Sequence, residues 1–232
     1  MSKTLIIIPS YNEKENIGSL IDALFALPIG ADILVVDDSS DGTIDLIKKK
    51  QAGEPRLHLI ARGKKSGRGT AVLEGCRFAL SHGYERIAEM DADFSHNPNE
   101  LPSLLAVSGP NKLVIGSRYL KASRILDWPL SRRIFSRCAN FYANVILGIG
   151  IHDYTNGYRV YGREALEKLE FNKIKSHGYI VLSEVAYQLF RKGVAFEEVP
   201  IIFVNRQRGV SNFSIKEARE AFFSVLRIRF SG

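Results

Sequence analysis

Cysteine is scarce in this sequence of 232 residues, which has only Cys76 and Cys138. Both lie in apolar stretches with helical spacing, so we expect two buried free thiols in a reducing compartment and no disulfide. Long apolar runs are also missing. A helix needs about 20 consecutive apolar residues to span a bilayer, so we expect no membrane-spanning helix. The chain enters the apolar residues 5–8 without a charged leader, so we expect no signal peptide.

Two common nucleotide-binding signatures are absent as well. No Gly-x-Gly-x-x-Gly follows the first apolar run, and no Gly-Lys-Ser/Thr occurs; Gly67-Arg68-Gly69 is too short to be either motif. Dinucleotide-binding and P-loop chemistry are therefore disfavoured. A nucleotide would instead be held by acidic residues on its base or ribose and by a metal ion on its phosphates.

Positive charge is in excess: the chain has 32 Lys and Arg against 25 Asp and Glu, which gives a net charge of +7. This balance favours a polyanionic partner, such as a nucleotide, a phospholipid surface or a nucleic acid. The basic residues do not form one block, and the aromatic residues are not arranged as base-stacking platforms. We therefore expect no nucleic-acid partner.

The first half of the chain alternates apolar runs with amphipathic segments. Residues 4–8, 32–36, 57–61 and 112–117, together with the run before Asp91, read as strands. Helices are predicted after Asn12 as N-cap, over residues 43–50, and from residue 69 to Gly83. This alternation predicts an α/β fold with a Rossmann-like, mostly parallel sheet flanked by helices.

The acidic segment Asp91-Ala92-Asp93 follows the fourth predicted strand. Residues two apart in an extended chain point the same way, so both carboxylates can face one point. Two like charges held so close favour a bound cation, and hard oxygen ligands suit Mg²⁺ or Mn²⁺. The alternative is a plain acidic turn after a strand.

Other polar segments are expected at the same place. Ligands of parallel α/β sheets bind beyond the carboxyl ends of the strands. Pro9-Ser10-Tyr11, Asp37-Asp38 and Asp91-Ala92-Asp93 all follow predicted strands. The fold should therefore gather them around one crevice.

In the second half, the segment from residue 128 runs on as a helix to about residue 147, residues 198–204 read as a strand, and a basic amphipathic helix begins at about residue 214. Arg132 and Ser136 are neighbours near the start of the first helix and could clamp a phosphate. A core-packed helix with a solvated basic edge is the alternative, and the two are compatible. The final helix suits an anionic membrane surface, but could equally pack on the sheet or on a partner.

With these motifs the chain resembles glycosyltransferase family 2, and more narrowly the dolichol- or polyprenol-phosphate mannose synthases. The resemblance runs from about residue 4 to 213 and is carried by segments 8–13, 35–43, 67–71, 90–96, 115–119, 128–136 and 198–200. The order Gly-Ser-Arg-Tyr, then Trp-Pro-Leu, is the part most specific to polyprenyl-phosphate glycosyl transfer.

The resemblance implies a GT-A fold in one domain, residues 1–232. Its expected parts are a nucleotide-sugar half (1–118), an acceptor half (119–213) and a C-terminal basic amphipathic helix (214–232). It implies mannose transfer from GDP-mannose to a polyprenyl (dolichyl) monophosphate with inversion, and a peripheral position on the cytoplasmic face of a membrane. A membrane-anchoring subunit is a further partner that it allows.

Site residues carried over from the family motifs fall into three groups. The donor would contact Pro9, Tyr11, Glu13, Val36, Asp38, Asp91, Ala92, Asp93 and Arg206. Mg²⁺ or Mn²⁺ would be held by Asp91, Asp93 and Ser95, and the acceptor phosphate by Arg118, Arg132 and Ser136. Asp91, Asp93 and Arg118 would be catalytic.

Three segments depart from the pattern that the family often shows. Gly67-Arg68-Gly69 replaces Gly-Leu-Gly, Asn156-Gly157-Tyr158-Arg159 replaces Ser-Gly-Phe-Arg, and Asn212 replaces a lysine after Ser211. The last change puts one phosphate-binding cation in doubt. Many relatives continue into membrane-spanning helices, so the chain resembles the catalytic-domain-only type, unless it is a truncation.

Other functions remain open from sequence alone. A sibling enzyme could use UDP-glucose with bacterial polyprenyl phosphate, and a non-catalytic nucleotide-binding subunit could share the fold. The acidic pair, the arginines and the phosphate clamp favour an enzyme.

Overall fold

The structure, a computed structural model, describes residues 3–176, 178–205 and 215–230, the last segment with side chains from residue 222 onward. Its strands are β1 Thr4–Ser10, β2 Asp32–Asp37, β3 Leu57–Ala61, β4 Arg86–Glu89, β5 Lys112–Ser117, β6 Arg124–Leu126, β7 Arg159–Gly162, β8 Ala195–Pro200 and β9 Ile202–Val204. Its α-helices are α1 Ile17–Phe25, α2 Thr43–Gln51, α3 Arg68–Ser81, α4 Leu101–Ala106, α5 Leu130–Leu147, α6 Arg163–Glu167, α7 Ile180–Arg191 and α8 Ile215–Phe230.

Within these residues a seven-stranded sheet has the order β3-β2-β1-β4-β7-β5-β8. The pairs β1–β2, β1–β4, β2–β3 and β5–β8 are parallel. Strand β7 is antiparallel to both of its neighbours, β4 and β5. The predicted α/β fold with a mostly parallel sheet is therefore confirmed, and the reversed strand β7 is the feature that the sequence did not show.

The central strand β1 explains why helices cover both faces. Leu5 and Ile7 pack into one apolar cluster with α3, α5, α7 and α8, whereas Ile6 and Ile8 pack into another with α1, α2 and α4. All four side chains are fully buried. A continuous apolar run is what a strand buried on both faces requires.

Three local predictions were wrong. Asn12 does not cap α1, which begins at Ile17; Asn12 has a φ of +56° and its side chain accepts a hydrogen bond from the Ser40 amide at 3.1 Å. The strand expected over residues 198–204 is divided into β8 and β9 after Pro200. Cys76 is buried as expected, but Cys138 is exposed because it lies on the outer face of α5.

Helix α8 packs on the helices α5 and α7, a position that the sequence did not predict. The Tyr142 ring stacks on Phe222 at 4.4 Å, and Val225 and Ile228 enter the core. Phe223 and Phe230 stay exposed. No helix in the described part of the chain is both long and apolar enough to cross a membrane.

Candidate active site

The expected crevice lies at one edge of the sheet. β2, β1 and β4 are parallel neighbours, so the residues that follow them, Asp38, Tyr11 and Asp91, are at the same edge. Strand β5 runs in the same direction and leads to Arg118. Because β7 is reversed, the segment that precedes it, including Asn156, also lies at this edge.

The acidic segment is held by backbone contacts of its own turn. The Asp91 amide donates to Nδ1 of His96 at 3.1 Å, and the Asp93 carboxylate accepts from the Ser95 amide at 3.0 Å. His96 is fully buried and stacks on Tyr158 at 4.9 Å between ring centroids. Since Nδ1 accepts, Nε2 carries the hydrogen and donates to Oδ1 of Asn156 at 2.8 Å.

An arginine lies directly behind these carboxylates. Nε and Nη2 of Arg68 are each 2.7 Å from Oδ1 of Asp91, and Nη1 is 2.8 Å from Oε1 of Glu89. The other Glu89 oxygen accepts from the Tyr161 hydroxyl at 3.0 Å. Burial acts to lower the pKa of Arg68, but the carboxylates of Asp91 and Glu89 raise it above its ordinary value.

The donor atoms at this edge fit Mg²⁺ or Mn²⁺. The carboxylates of Asp91 and Asp93 are hard oxygen ligands, and both side chains are partly exposed. In the described ranges, no group of three or more His, Cys, Asp and Glu side chains is arranged to hold a metal ion. An ion here would therefore take its remaining ligands from water and phosphate, as Mg²⁺ commonly does.

On the nucleoside side, Pro9 and Val36 are register partners on β1 and β2. The Asp38 carboxylate is held by Arg62 at 2.6 and 2.7 Å and by the Ser66 amide at 2.7 Å. Tyr11 is 42% exposed, and Nζ of Lys65 lies over its ring, 4.3 Å from the centroid.

A cleft of about 340 Å³ connects this side with the second half of the chain. It is lined by Glu15, Asn16, Ser19, Asp93, Phe94, Val204 and Asn205. Asp93 lies at one end of this set, and Asn205 accepts a hydrogen bond from Arg132 at 3.1 Å. Asp93 of the acidic segment therefore lines this cleft, and Arg132 reaches it through its contact with Asn205.

The phosphate-clamp candidates gather around Trp128 and Tyr119. The Arg132 guanidinium lies 4.0 Å from the centre of the Trp128 ring, and Arg118 lies 5.5 Å from it. The Ser136 hydroxyl accepts from the Tyr119 hydroxyl at 2.6 Å. Trp128 is thus a common platform for both arginines, with cation–π contact strongest at Arg132.

Arg118 is buried and is held by side chains of the turn that precedes β7. It forms a two-pronged ion pair with Asp153, both contacts 2.7 Å, and donates to the Thr155 hydroxyl at 2.7 Å. Burial acts to raise the pKa of Asp153, but Arg118 lowers it below its usual value. The pair therefore stays ionised at neutral pH.

The sequence model of glycosyl transferase family 2 matches residues 5–170, which is more than half of the chain. The chain belongs to glycosyltransferase family 2. It is 42% identical over 226 residues to the polyprenol monophosphomannose synthase of Mycolicibacterium smegmatis, covering 96% of this chain and 85% of that protein. It is 38% identical to the undecaprenyl-phosphate mannosyltransferase of Micrococcus luteus, covering 97% of this chain and 93% of that protein.

Solved structures support the GT-A fold of this family 2 glycosyltransferase. Glucosyl-3-phosphoglycerate synthase from Mycobacterium tuberculosis, solved with Mn²⁺, UDP and glucosyl-3-phosphoglycerate, matches with a TM-score of 0.70. The match covers 99% of this chain and 79% of that chain at 18% identity. Another structure of that enzyme, with Mn²⁺ and UDP-glucose, gives a TM-score of 0.69.

Most of the glycosyltransferase's predicted site residues lie at this edge or beside the cleft. Arg206, Ser211 and Asn212 fall outside the described residues. Sequence reasoning missed Arg68, Glu89, His96 and Trp128 as parts of the site. Arg68 stood out only as a departure from the family, His96 and Trp128 were seen only as members of motifs, and Glu89 only as part of the run before Asp91.

Proposed function

We propose that this family 2 glycosyltransferase transfers mannose from GDP-mannose to a polyprenyl (dolichyl) monophosphate, inverting the sugar to the β-linked product. The observation that carries the proposal is the 42% identity over 96% of the chain to a polyprenol monophosphomannose synthase. The cleft lined by Asp93 and Asn205 supports it, because Arg132 contacts Asn205 and the acidic segment and the α5 arginine are therefore near the same opening. Residues 1–118 form the donor half in this proposal and residues 119–213 the acceptor half.

The donor is proposed to lie across the ends of β1, β2 and β4. Tyr11 stacks on the base, Asp38 contacts the nucleoside, and Asp91 and Asp93 face the diphosphate. Pro9, Glu13, Val36 and Ala92 complete the nucleoside-side contacts, and Arg206 is assigned to the diphosphate.

Charge neutralisation at the departing nucleoside diphosphate is the main chemical requirement of the reaction. A bound Mg²⁺ or Mn²⁺ supplies that neutralisation electrostatically. Asp91, Asp93 and Ser95 are the residues proposed to hold the ion. The two carboxylates are kept close by their short turn and by the contact of the Asp91 amide with His96.

The acceptor phosphate needs positioning more than it needs a base. Its second pKa is about 6, so it is largely dianionic at neutral pH and already nucleophilic. Arg132 and Ser136 are proposed to contact it from the start of α5. Arg118, locked to Asp153, contributes a fixed positive charge beside them.

The acceptor is a lipid, and the structure has an apolar face that suits a membrane surface. Along the outer side of α5, Leu130, Ile134, Phe141 and Val145 are between 54% and 72% exposed, and Phe230 of α8 is 80% exposed. Arg137 is exposed on the same helix and would meet anionic headgroups. We infer a peripheral position on the cytoplasmic face, where a membrane-anchoring subunit is a further proposed partner.

Transfer assays with radiolabelled donor test the proposal. The full chain, with Mn²⁺ and polyprenyl phosphate, should transfer mannose from GDP-mannose to a lipid-extractable product. Calorimetric titration should show tighter binding of GDP-mannose than of UDP-glucose. Glucose transfer from UDP-glucose alone would overturn the donor assignment, and binding without transfer from either donor would indicate a non-catalytic subunit.

A further inference from the structure

Arg68 is the first residue of α3 and stands where the family often has leucine. Its guanidinium spans two carboxylates, Glu89 and Asp91, as described above. Only 13% of its side chain is exposed. An apolar side chain would be enough if this position served only for packing, so the charge of Arg68 needs a separate explanation.

The surroundings of the guanidinium are shaped to receive it. The ring of Tyr179 lies 5.3 Å from it, and a Cβ at Gly157 would collide with its terminal nitrogens. Glycine at 157 thus leaves the room that the guanidinium fills. One tyrosine ring, one glycine and two carboxylates thus surround the guanidinium.

We propose that Arg68 is an internal counter-cation of the acidic segment, competing with the divalent ion for the Asp91 carboxylate. This inference rests on the proposed role of Asp91 as a metal ligand. Two nitrogens of Arg68 contact Oδ1 of Asp91, so an ion at Asp91 meets a like charge a few ångströms away. Metal binding to the free protein is therefore weakened.

A nucleoside diphosphate removes much of this penalty. Its phosphate oxygens bring negative charge that offsets the guanidinium and supply further ligands to the ion. Arg68 therefore makes metal binding depend on the donor, so that ion and nucleotide bind together. The residue is a positioning residue under this proposal, since it acts through Asp91.

A simpler account is that Arg68 only compensates the buried charge of Glu89. Glu89 is fully buried, and removing a partner from a buried ion pair leaves an uncompensated charge. The double variant Arg68→Leu with Glu89→Gln removes both charges and keeps the net charge of the wild type. A change in the Mn²⁺ affinity of this variant therefore cannot come from an uncompensated charge on Glu89 or from a change in net charge.

The experiment measures Mn²⁺ affinity from the electron paramagnetic resonance signal of the free ion, with and without GDP. Without GDP the double variant should bind Mn²⁺ about tenfold more tightly than the wild type, since the positive charge at Oδ1 of Asp91 is gone. With saturating GDP the ratio should fall to about threefold or less. Arg77→Leu is the matched control on the same helix: its exposed charge is screened, and the affinity should change less than about twofold.

A second variant covers the case in which the double variant does not fold by circular dichroism. Arg68→Lys keeps the charge but cannot span both carboxylates, so its Mn²⁺ affinity without GDP should exceed that of the wild type by about threefold. Affinity equal to or weaker than wild type in whichever variant folds overturns the inference. Absence of Mn²⁺ binding to the wild type even with GDP would instead overturn the proposed metal role of Asp91.

Discussion

The proposed donor side and the proposed acceptor side differ in the sign of the charge that each would present to its substrate. On the proposed donor side the groups assigned to the substrate are carboxylates, Asp38 and Asp91, each paired with an arginine, Arg62 or Arg68. On the proposed acceptor side the assigned groups are arginines, and Arg132 is supported by an aromatic ring. The donor side is thus prepared for a cation between protein and diphosphate, whereas the acceptor side can meet a phosphate directly.

The largest expected effect comes from removing a donor-side carboxylate. Asp91→Asn should lower kcat by about 10³-fold, because the charge that holds the ion opposite the leaving diphosphate is lost. Steady-state mannose transfer measures it. Asp45→Asn, an exposed carboxylate on α2, is the control and should retain wild-type kcat. Near-normal activity of Asp91→Asn would break the comparison on the donor side.

Removing the acceptor-side cation should change a different constant. Arg132→Ala should raise the KM for polyprenyl phosphate by about 30-fold and leave the KM for the donor unchanged, since a charge-assisted contact with the acceptor is lost. Arg124→Ala, an exposed arginine on β6, controls for the loss of one positive charge. An equal rise in both KM values would contradict the division into two sides.

The exposed apolar face belongs to the acceptor side alone in this comparison. Leu130→Ser combined with Phe141→Ser should weaken binding to vesicles containing anionic lipid by about 20-fold, because two apolar side chains no longer enter the interface. Vesicle sedimentation measures the change. Phe190→Ser on α7 is the control, and unaltered sedimentation of the double variant would refute this docking face.

Trp128 should have a smaller effect than the arginine that it supports. Trp128→Leu removes the ring below Arg132 and should lower kcat/KM for the acceptor by about tenfold, in line with a cation–π contact of about 1–2 kcal/mol. The thermal melting temperature distinguishes misplacement of Arg132 from unfolding. A loss of donor binding in this variant would show that the two sides share the platform.

The acid limb of the pH profile should show no effect of the protein's carboxylates. We expect it near pH 6, where the acceptor phosphate gains a proton. Asp153 has a lowered pKa, so the stability from its pair with Arg118 is present above its unfolded pKa of 3.8 and is lost only as pH falls further. Glu184 lies on α7 and accepts hydrogen bonds from the Lys175 and Ser176 amides, so Glu184→Gln should leave the limb in place. Loss of the limb in this variant or in Asp153→Asn would indicate a protein base.

Local sequence patterns were sufficient for strands β1 to β5 and for the edge where the site lies. Continuous apolar runs predicted β3 and β5 with the bounds observed, Leu57–Ala61 and Lys112–Ser117. The common edge followed from the rule that parallel strands end together. The roles of individual site residues remain predictions.

Contacts between distant parts of the chain were not predictable in the same way. Arg68 meets Asp91 across 23 positions, and His96 meets Asn156 across 60. No spacing rule connects such pairs, since only the assembled sheet brings them together. The direction of β7 was hidden for the same reason, because four residues do not reveal which way a strand runs.

The reversed strand β7 has a consequence for engineering this enzyme. The turn that precedes it contacts both proposed binding regions: Asn156 holds His96, whose ring binds the Asp91 amide, and Asp153, three residues earlier, holds Arg118. A chimera that joins residues 1–118 of this enzyme to the acceptor half of another should therefore keep residues 153–156 of this enzyme. A small displacement of that turn would move His96 and Arg118 together, and so would disturb both proposed binding regions.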